Sequence, residues 1–424
     1  MNSILTVLLA ATVLSGTPAS DGGVTVADAT PLIRDEYKPL ANLLSIRPAF
    51  CPTSGNTLEV MRVGTRYKET MTEDFDNAEK LIEIECLLFG DDHDGNEIKA
   101  LLAEKVDEGV QVRYTHENFG NFFDSIFDGR QVMVGYYDDM SRIGIDKRDF
   151  GPLLRFWWTY LHAGQRNHRK INVIDEKIGY IGGMNITSGS LSAWGDAHVR
   201  VTGPGVYSLR SIFLQNWNAV GFDKRKEERF DLNISSDKPS ADGKILQVVA
   251  DGPDEPAHMA ERALEWVLDN AKQYVYMETP YLVPTQRLLK ALKRAAARGV
   301  DVRLVVPRVC DMEIVDPINH YYGEECAKAG IKFYFRRPPF NHSKVFVADG
   351  YLSCIGSSNL DKLSLKRLYE VNAYIYDEEI AGEILRGMQK AMENSDLMDA
   401  EHLVPWTSKE KFDMTLVKPF DFLL

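Results

Sequence analysis

The sequence is poor in three features that would each define a class of protein. Its five cysteines, Cys51, Cys86, Cys310, Cys326 and Cys354, show no CxxC spacing, so neither a zinc site nor a disulfide framework is indicated. The composition argues against a protein with several membrane spans and against disorder. Acidic residues (62) outnumber basic residues (49), which disfavours a nucleic-acid surface because such surfaces need a basic stripe. The 424 residues therefore predict a globular protein of two domains or one duplicated unit.

Residues 1–20 have the pattern of a signal peptide. An apolar run extends from Ile4 to Leu14 and is followed by small residues suited to cleavage near Ala19. The run is not preceded by Lys or Arg, so an uncleaved single anchor and a misassigned start are alternatives. We expect a signal peptide or an N-terminal anchor at residues 1–20.

A repeat divides the remaining chain into two parts. The segments 78–89 and 271–283 share a helix end followed by an apolar strand, and each precedes a helical pattern closed by Gly-Val. Gly109 and Gly299 stand where a C-cap glycine belongs before the next strand. Each part therefore contains a βαβ unit. The turn-rich stretch 235–243 separates the parts, and we predict halves at 51–235 and 244–424.

Each predicted half carries the pattern H-x-K-x4-D, in "NHRKINVID" and "NHSKVFVAD". On a strand, residues i and i+2 face the same side, so each His and Lys project together while Arg169 or Ser343 faces away. An imidazole beside an ammonium group suits a phosphate better than an apolar core. The candidate catalytic residues are His168, Lys170, Asp175, His342, Lys344 and Asp349.

The agreement between the halves continues beyond this pattern. Fifteen residues after each His are Gly183 and Ser357, seventeen after are Asn185 and Asn359, and twenty-eight after are Asp196 and Glu370. These motifs, with "ETPYLVP", "GGMN" and "GSSNLDKLSL", resemble the phospholipase D superfamily with its duplicated HKD motif, and within it the bacterial cardiolipin synthase branch. The resemblance covers the chain from about residue 55 onward. It implies an α/β fold of two similar halves, each a mixed sheet flanked by helices, with one shared active site at their interface.

A phosphodiester monoanion is a poor electrophile, and two displacements through a covalent phospho-enzyme make its transfer easier. One histidine would attack phosphorus, and the other would protonate the leaving alkoxide and later deprotonate the incoming alcohol. The resemblance implies His168 as the nucleophile and His342 as the acid/base, although the similarity of the halves leaves the reverse open. Asp175 and Asp349 are expected to be structural partners within their halves.

Other polar residues of the repeat suit supporting roles. We expect Lys170 and Lys344, with Asn185, Asn359 and Ser357, to bind the phosphate oxygens as charge redistributes in the transition state. Asp196 and Glu370 are suited to accept a hydrogen bond from imidazole Nδ1, which leaves Nε2 toward phosphorus. This chemistry requires no metal and no cofactor.

The resemblance predicts phosphatidyl transfer, in which two phosphatidylglycerols give cardiolipin and glycerol. A hydrolytic phospholipase D releasing phosphatidic acid is the alternative, and an exported nuclease or a non-catalytic scaffold is less favoured. Phospholipids are the expected partners, at a membrane surface reached peripherally or through a single anchor in a bacterial cell envelope, with no nucleic acid expected and the oligomeric state open. Leu363 stands where members of the family often have Arg, a place that Lys362 or Arg367 could serve.

Overall fold

The computed structural model describes residues 23–117, 140–150, 165–220, 230–255 and 257–418. The predicted signal peptide or anchor at residues 1–20 lies outside the described residues. Among the described residues, no helix combines the length and the apolar character needed to cross a bilayer.

The strands of the described residues alternate with helices in each half. The strands are Val24–Ala27 (β1), Thr53–Val63 (β2), Leu81–Cys86 (β3), Gln111–Glu117 (β4), Asp146–Phe150 (β5), Ile171–Ile174 (β6), Ile178–Gly182 (β7), Gly195–Thr202 (β8), Leu232–Ser235 (β9), Lys244–Asp251 (β10), Tyr274–Glu278 (β11), Leu282–Val283 (β12), Asp301–Pro307 (β13), Lys332–Arg336 (β14), Val345–Ala348 (β15), Leu352–Gly356 (β16), Leu360–Asp361 (β17), Glu370–Tyr376 (β18) and Ser395–Met398 (β19). The α-helices are Lys38–Leu44 (α1), Gly64–Asp76 (α2), His93–Asp107 (α3), Gly205–Val220 (α4), Met259–Asn270 (α5), Gln286–Ala297 (α6), Asp316–Ala327 (α7), Lys362–Lys366 (α8), Glu378–Glu393 (α9) and Ser408–Val417 (α10).

Fifteen of these strands form one mixed sheet in which the duplication is visible. The order is β19-β14-β13-β11-β15-β16-β18-β10-β2-β8-β7-β6-β3-β4-β5. From the central antiparallel pair β10–β2, the strands on one side match those on the other, apart from the extra edge strand β19. In both directions the outer three strands of the repeat, β3-β4-β5 and β11-β13-β14, are parallel, while the inner ones are antiparallel. The predicted α/β fold with two similar halves is confirmed.

The βαβ units predicted from the repeat are present in both halves. β3, α3 and β4 form the first, and β11, α6 and β13 form the second. Gly109 and Gly299 end the helices with φ of 93° and 88°, a left-handed conformation that glycine adopts at little cost. Asp92 caps α3 by accepting a hydrogen bond from the Gly95 backbone N–H, as expected for the turn before this helix.

The two sets of strands share a core. One buried apolar cluster extends from Phe213 of α4 to Val302 of β13, and a second lies within residues 61–191. All five cysteines are free thiols, and four of them are buried, where a thiol packs as a small apolar side chain. Residues 51–235 and 244–424 contain the matching strand sets, and these bounds stay a prediction.

Candidate active site

Two short extended segments bring the motif histidines to the junction of the halves. His168 lies just before β6, and its backbone N–H donates to the Tyr369 carbonyl at 2.9 Å. His342 lies just before β15, and its N–H donates to the Gly195 carbonyl at 2.7 Å. Each histidine segment is therefore hydrogen-bonded to the residue that precedes the repeated carboxylate, Glu370 or Asp196, of the other half.

The histidine–carboxylate pairs are crossed between the halves. His168 Nδ1 lies 3.0 Å from both carboxylate oxygens of Glu370, and His342 Nδ1 lies 2.8 Å from Oδ2 of Asp196. Both carboxylates are buried. A histidine that donates from Nδ1 to a carboxylate keeps the tautomer with a lone pair on Nε2. The sequence predicted these four residues, and the structure brings them together in pairs that join residues 202 and 146 positions apart.

The motif lysines are buried beside the histidines. Lys170 Nζ donates to the His168 carbonyl at 2.8 Å, and Lys344 Nζ donates to the His342 carbonyl at 2.6 Å. Burial lowers the pKa of Lys170 to about 7 and that of Lys344 to about 8, despite the nearby carboxylates. A bound phosphodiester would supply the missing negative charge and raise both pKa values again.

Burial also affects the pKa values of the two histidine–carboxylate pairs, and the two carboxylates shift in opposite directions. Burial, reinforced by the charges of Lys170 and Lys344, lowers the pKa of His168 well below its usual range, and burial also lowers the pKa of His342. Burial raises the pKa of Glu370 to about 8. Burial disfavours the Asp196 carboxylate too, but the charges of Lys344 and His342 outweigh it and lower the Asp196 pKa. The His168–Glu370 pair therefore holds a proton to higher pH than the His342–Asp196 pair.

The motif aspartates lie at turns instead of facing the histidines. Asp175 accepts hydrogen bonds from the backbone N–H groups of residues 79, 80 and 81, each at 2.8 Å. Asp349 accepts three from residues 272–274, at 2.7–2.9 Å. Both have positive φ, 50° and 47°. They join the hairpin turns after β6 and β15 to the starts of β3 and β11.

The remaining predicted residues separate into two groups. Asn185 and Asn359 line the same cavity as the histidines. Ser357, predicted to bind the substrate phosphate, instead donates its hydroxyl hydrogen to Glu370 and accepts from the Val371 backbone N–H. Its hydroxyl is thereby occupied behind the His168–Glu370 pair, which makes it a candidate positioning residue.

Both histidines open into one cavity of about 310 Å³. Its lining is largely apolar. The lining residues are Leu87, Leu88, His168, Asn185, Trp194, Tyr281, Val283, Asp311, Met312, Val315, His342, Asn359, Asp361, Leu363 and Leu368. Leu363 contributes to this wall and adds apolar surface, whereas Lys362 and Arg367 are not among the lining residues.

Several lining residues were not assigned a role from the sequence. The Trp194 ring lies 5.6 Å from the His342 ring, and the Tyr281 hydroxyl donates to Asp311 at 2.6 Å. Tyr281 belongs to the segment "ETPYLVP" that supports the family resemblance. Trp194 and Leu368 occupy matching positions two residues before Asp196 and Glu370, a signal that the repeat offset could have provided. Asp311 has no motif around it and required the structure.

A second polar group lies away from this cavity, on α3. The potential ligand atoms of His93, Asp94 and Glu97 lie within 4.8 Å of one another. Lys68 Nζ is 2.8 Å from Asp94 and 2.5 Å from Glu97, so an ammonium group already compensates both carboxylates. This arrangement is that of a turn followed by a helix cap, since Asp92 caps α3.

Comparisons with known proteins show which family the chain belongs to. A family model described as cardiolipin synthase, PLD-like domain, matches residues 264–392. Cardiolipin synthase 1 of Staphylococcus epidermidis is 30% identical over 376 residues, covering 86% of this chain and 74% of that protein. Cardiolipin synthase of Alkalihalophilus pseudofirmus is 33% identical over 305 residues, covering 70% of this chain and 58% of that protein.

A solved structure supports the fold over nearly the whole chain. The phosphatidylserine synthase of Haemophilus influenzae Rd KW20 superimposes with a TM-score of 0.71 at 12% identity, covering 92% of this chain and 99% of that chain. The chain therefore belongs to the phospholipase D superfamily, and within it to the cardiolipin synthase branch.

Proposed function

We propose that this protein is a cardiolipin synthase-like phosphatidyltransferase. It converts two phosphatidylglycerols into cardiolipin and glycerol through a covalent phospho-histidine. The observation that carries the proposal is the pair of crossed histidine–carboxylate contacts, His168–Glu370 and His342–Asp196, facing one apolar cavity. Two such histidines are what a double displacement at phosphorus requires.

In the first displacement, Nε2 of His168 attacks the phosphorus of phosphatidylglycerol. The bond from phosphorus to the headgroup oxygen breaks. His342, which is protonated here because the negative charge of the bound phosphate raises its lowered pKa, donates its Nε2 proton to that oxygen, so that neutral glycerol leaves. Glu370 stabilises the positive charge that develops on the His168 ring.

In the second displacement, the headgroup hydroxyl of another phosphatidylglycerol is the nucleophile. Neutral His342 takes its proton, the new oxygen–phosphorus bond forms, and the phosphorus–nitrogen bond to His168 breaks. The electron pair returns to His168 Nε2, and cardiolipin leaves. His342 ends the cycle protonated, ready for the next donor molecule.

The buried lysines stabilise charge on the non-bridging oxygens during both displacements. Lys170 and Lys344 lie in a site that excludes most water, where an ammonium group interacts with a phosphate more strongly than it would in solvent. Asn185 is suited to donate a further hydrogen bond through Nδ2, since its Oδ1 accepts from the Leu88 backbone N–H at 3.3 Å.

The lining of the cavity favours transfer to an alcohol over hydrolysis. Apolar side chains from both halves surround the histidines and would limit the access of water to the phospho-histidine. They are Leu87, Leu88, Val283, Met312, Val315, Leu363 and Leu368. The same surfaces suit the glycerol backbone and upper acyl chains of a phospholipid, which supports a reaction at a phospholipid surface.

The test is mass spectrometry of lipids after the purified protein has been incubated with phosphatidylglycerol in mixed micelles, with a chelator present throughout. We expect cardiolipin and free glycerol in equal amounts. Phosphatidic acid as the sole lipid product would identify a phospholipase D instead. The absence of any lipid turnover would contradict the proposal.

A further inference from the structure

The cavity wall contributed by the second half is rich in hydrogen-bond acceptors. Asn359 is 4% exposed, and its Oδ1 has no hydrogen-bond partner among the described residues. Asp361 is also buried, and its carboxylate accepts from the Ser364 backbone N–H at 2.7 Å and from the Asn359 side chain, which leaves further acceptor positions on its two oxygens. Asp311 lies at the exposed mouth, where it accepts from the Tyr281 hydroxyl.

The matching wall of the first half differs. The pairs Phe89–Ile186 and Leu282–Leu360 are equivalent parallel contacts, so Leu88 matches Tyr281 and Thr187 matches Asp361. Asn185 matches Asn359, but its Oδ1 is already satisfied by the Leu88 backbone N–H. The free acceptors are therefore a property of the His342 side of the cavity.

A wall of hydrogen-bond acceptors is unsuited to bind a phosphate but well suited to bind hydroxyl groups. Phosphate oxygens need donors and are repelled by carboxylates, whereas each hydroxyl of a polyol brings a hydrogen that must find an acceptor when it is buried. Burial raises the pKa of Asp361 to about 6, so at neutral pH this group is a carboxylate that can only accept. A carboxylate forms stronger hydrogen bonds with hydroxyls than a neutral oxygen does.

We infer that Asp311, Asn359 Oδ1 and Asp361 form the subsite for the acceptor alcohol and select a polyol headgroup with neighbouring hydroxyls. The inference rests on the proposed phosphatidyl transfer. One hydroxyl of the headgroup faces His342, which takes its proton during attack on the phospho-histidine. The other hydroxyl donates to the acidic wall, which holds the headgroup in the attacking position.

The test uses phosphatidyl-p-nitrophenol in mixed micelles as the donor, with glycerol and 1-propanol competing at equal concentration. Release of nitrophenol reports the first displacement for every variant. The ratio of phosphatidylglycerol to phosphatidylpropanol, measured by mass spectrometry, reports the choice of acceptor. The variants are Asp311→Ala, which changes an exposed residue, and Asp361→Asn, which retains a helix-capping side chain.

The matched control is Glu313→Ala. It removes the same charge two residues from Asp311, from an exposed side chain that lines a neighbouring groove with Lys409 and Leu416 and is not part of the active-site cavity. We expect the wild-type protein and Glu313→Ala to prefer glycerol strongly. We expect Asp311→Ala and Asp361→Asn each to reduce the preference about tenfold, because each weakens a charge-assisted hydrogen bond to the second hydroxyl.

The outcomes separate this inference from the proposed function. Nitrophenol release followed by transfer to both alcohols without preference for glycerol would overturn the subsite and leave phosphatidyl transfer intact. A glycerol preference that both aspartate variants retain would overturn the subsite in the same way. Nitrophenol release with phosphatidic acid as the only lipid product would overturn the proposed function, and the subsite with it.

Discussion

In the proposed mechanism, neither histidine can substitute for the other. His168 and His342 would have separate roles in the two displacements, and each contacts a carboxylate of the other half. We predict that His168→Ala and His342→Ala each lower turnover of phosphatidylglycerol by about 10³-fold or more, because residues that act as a unit give large and non-additive losses. The control His402→Ala removes an exposed imidazole that bonds Asp399, and its turnover should match that of the wild type.

The two histidine–carboxylate pairs differ in pKa, so the pH dependence of nitrophenol release identifies the histidine that attacks phosphorus. The pair that attacks phosphorus must first lose its extra proton. Because burial raises the pKa of Glu370 to about 8, nitrophenol release should increase as pH rises toward this value if His168 is the nucleophile. Residual activity of Glu370→Gln should then lack this rise, while Asp196→Asn should retain it.

The opposite assignment gives an opposite profile. If His342 attacks phosphorus, the low pKa of Asp196 and the lowered pKa of His342 move the rise in nitrophenol release below pH 6.5. The rise would then survive in Glu370→Gln and disappear in Asp196→Asn. Either variant should reduce the maximal rate by about 10²- to 10⁴-fold, since it removes control of the imidazole tautomer.

At the scale of elements, the aspartates of the repeated motif hold turns to strands. Asp175 accepts from the three backbone N–H groups that lead into β3. Asp175→Ala should lower the free energy of unfolding by about 1–3 kcal/mol in urea titrations, the range for lost hydrogen bonds to a charged group. The exposed residue Asp107 provides the control, since Asp107→Ala removes the same charge with little change.

The contribution of Asp175 to the free energy of unfolding depends on pH in a predictable direction. Burial disfavours the Asp175 carboxylate, but the backbone hydrogen bonds outweigh it, so the folded-state pKa lies below the unfolded value of 3.8. The stabilisation is therefore present above pH 3.8 and is lost as pH falls through the folded-state pKa. An equal difference between wild type and Asp175→Ala at low and neutral pH would contradict this account.

Elements with a local signal were predictable, and those without one were not. The strands β3 and β11, the helices after them and the glycines that end these helices follow from apolar periodicity and turn chemistry. β2 and β10, which form the central contact of the sheet, have no repeat motif, and their pairing depends on contacts between distant segments. For this reason the sequence predicted that Asp196 and Glu370 orient the histidines, but not that each contacts the histidine of the other half. The sequence also predicted that Ser357 binds the substrate phosphate, whereas its hydroxyl contacts Glu370.

At the scale of the whole molecule, a buried ion pair joins the halves. Arg62 of β2 contacts Glu278, which ends β11 and is buried. Removing the cation leaves a buried carboxylate, with Arg336 as a remaining positive charge nearby. We predict that Arg62→Met lowers the free energy of unfolding by about 3 kcal/mol, near the lower end of the range for a broken buried pair.

The neighbouring residue Arg66 is a matched control for this prediction. It pairs with Glu59 on an exposed part of the same half. Because solvent screens such pairs, Arg66→Met should leave the urea midpoint almost unchanged. Equal midpoints for Arg62→Met and Arg66→Met would mean that the ion pair between the halves contributes little to holding them together.

The crossed histidine–carboxylate pairs also determine at which stage of synthesis the chain contains all residues of the candidate site. During synthesis His168 and Lys170 leave the ribosome about 200 residues before Glu370, since the chain is made from its N-terminus. A nascent or truncated chain that ends before β18 has its first histidine without the carboxylate that orients it. We therefore expect no phosphatidyl transfer by such a partial chain, because His342, Lys344 and Glu370 all belong to the last fifth of the polypeptide.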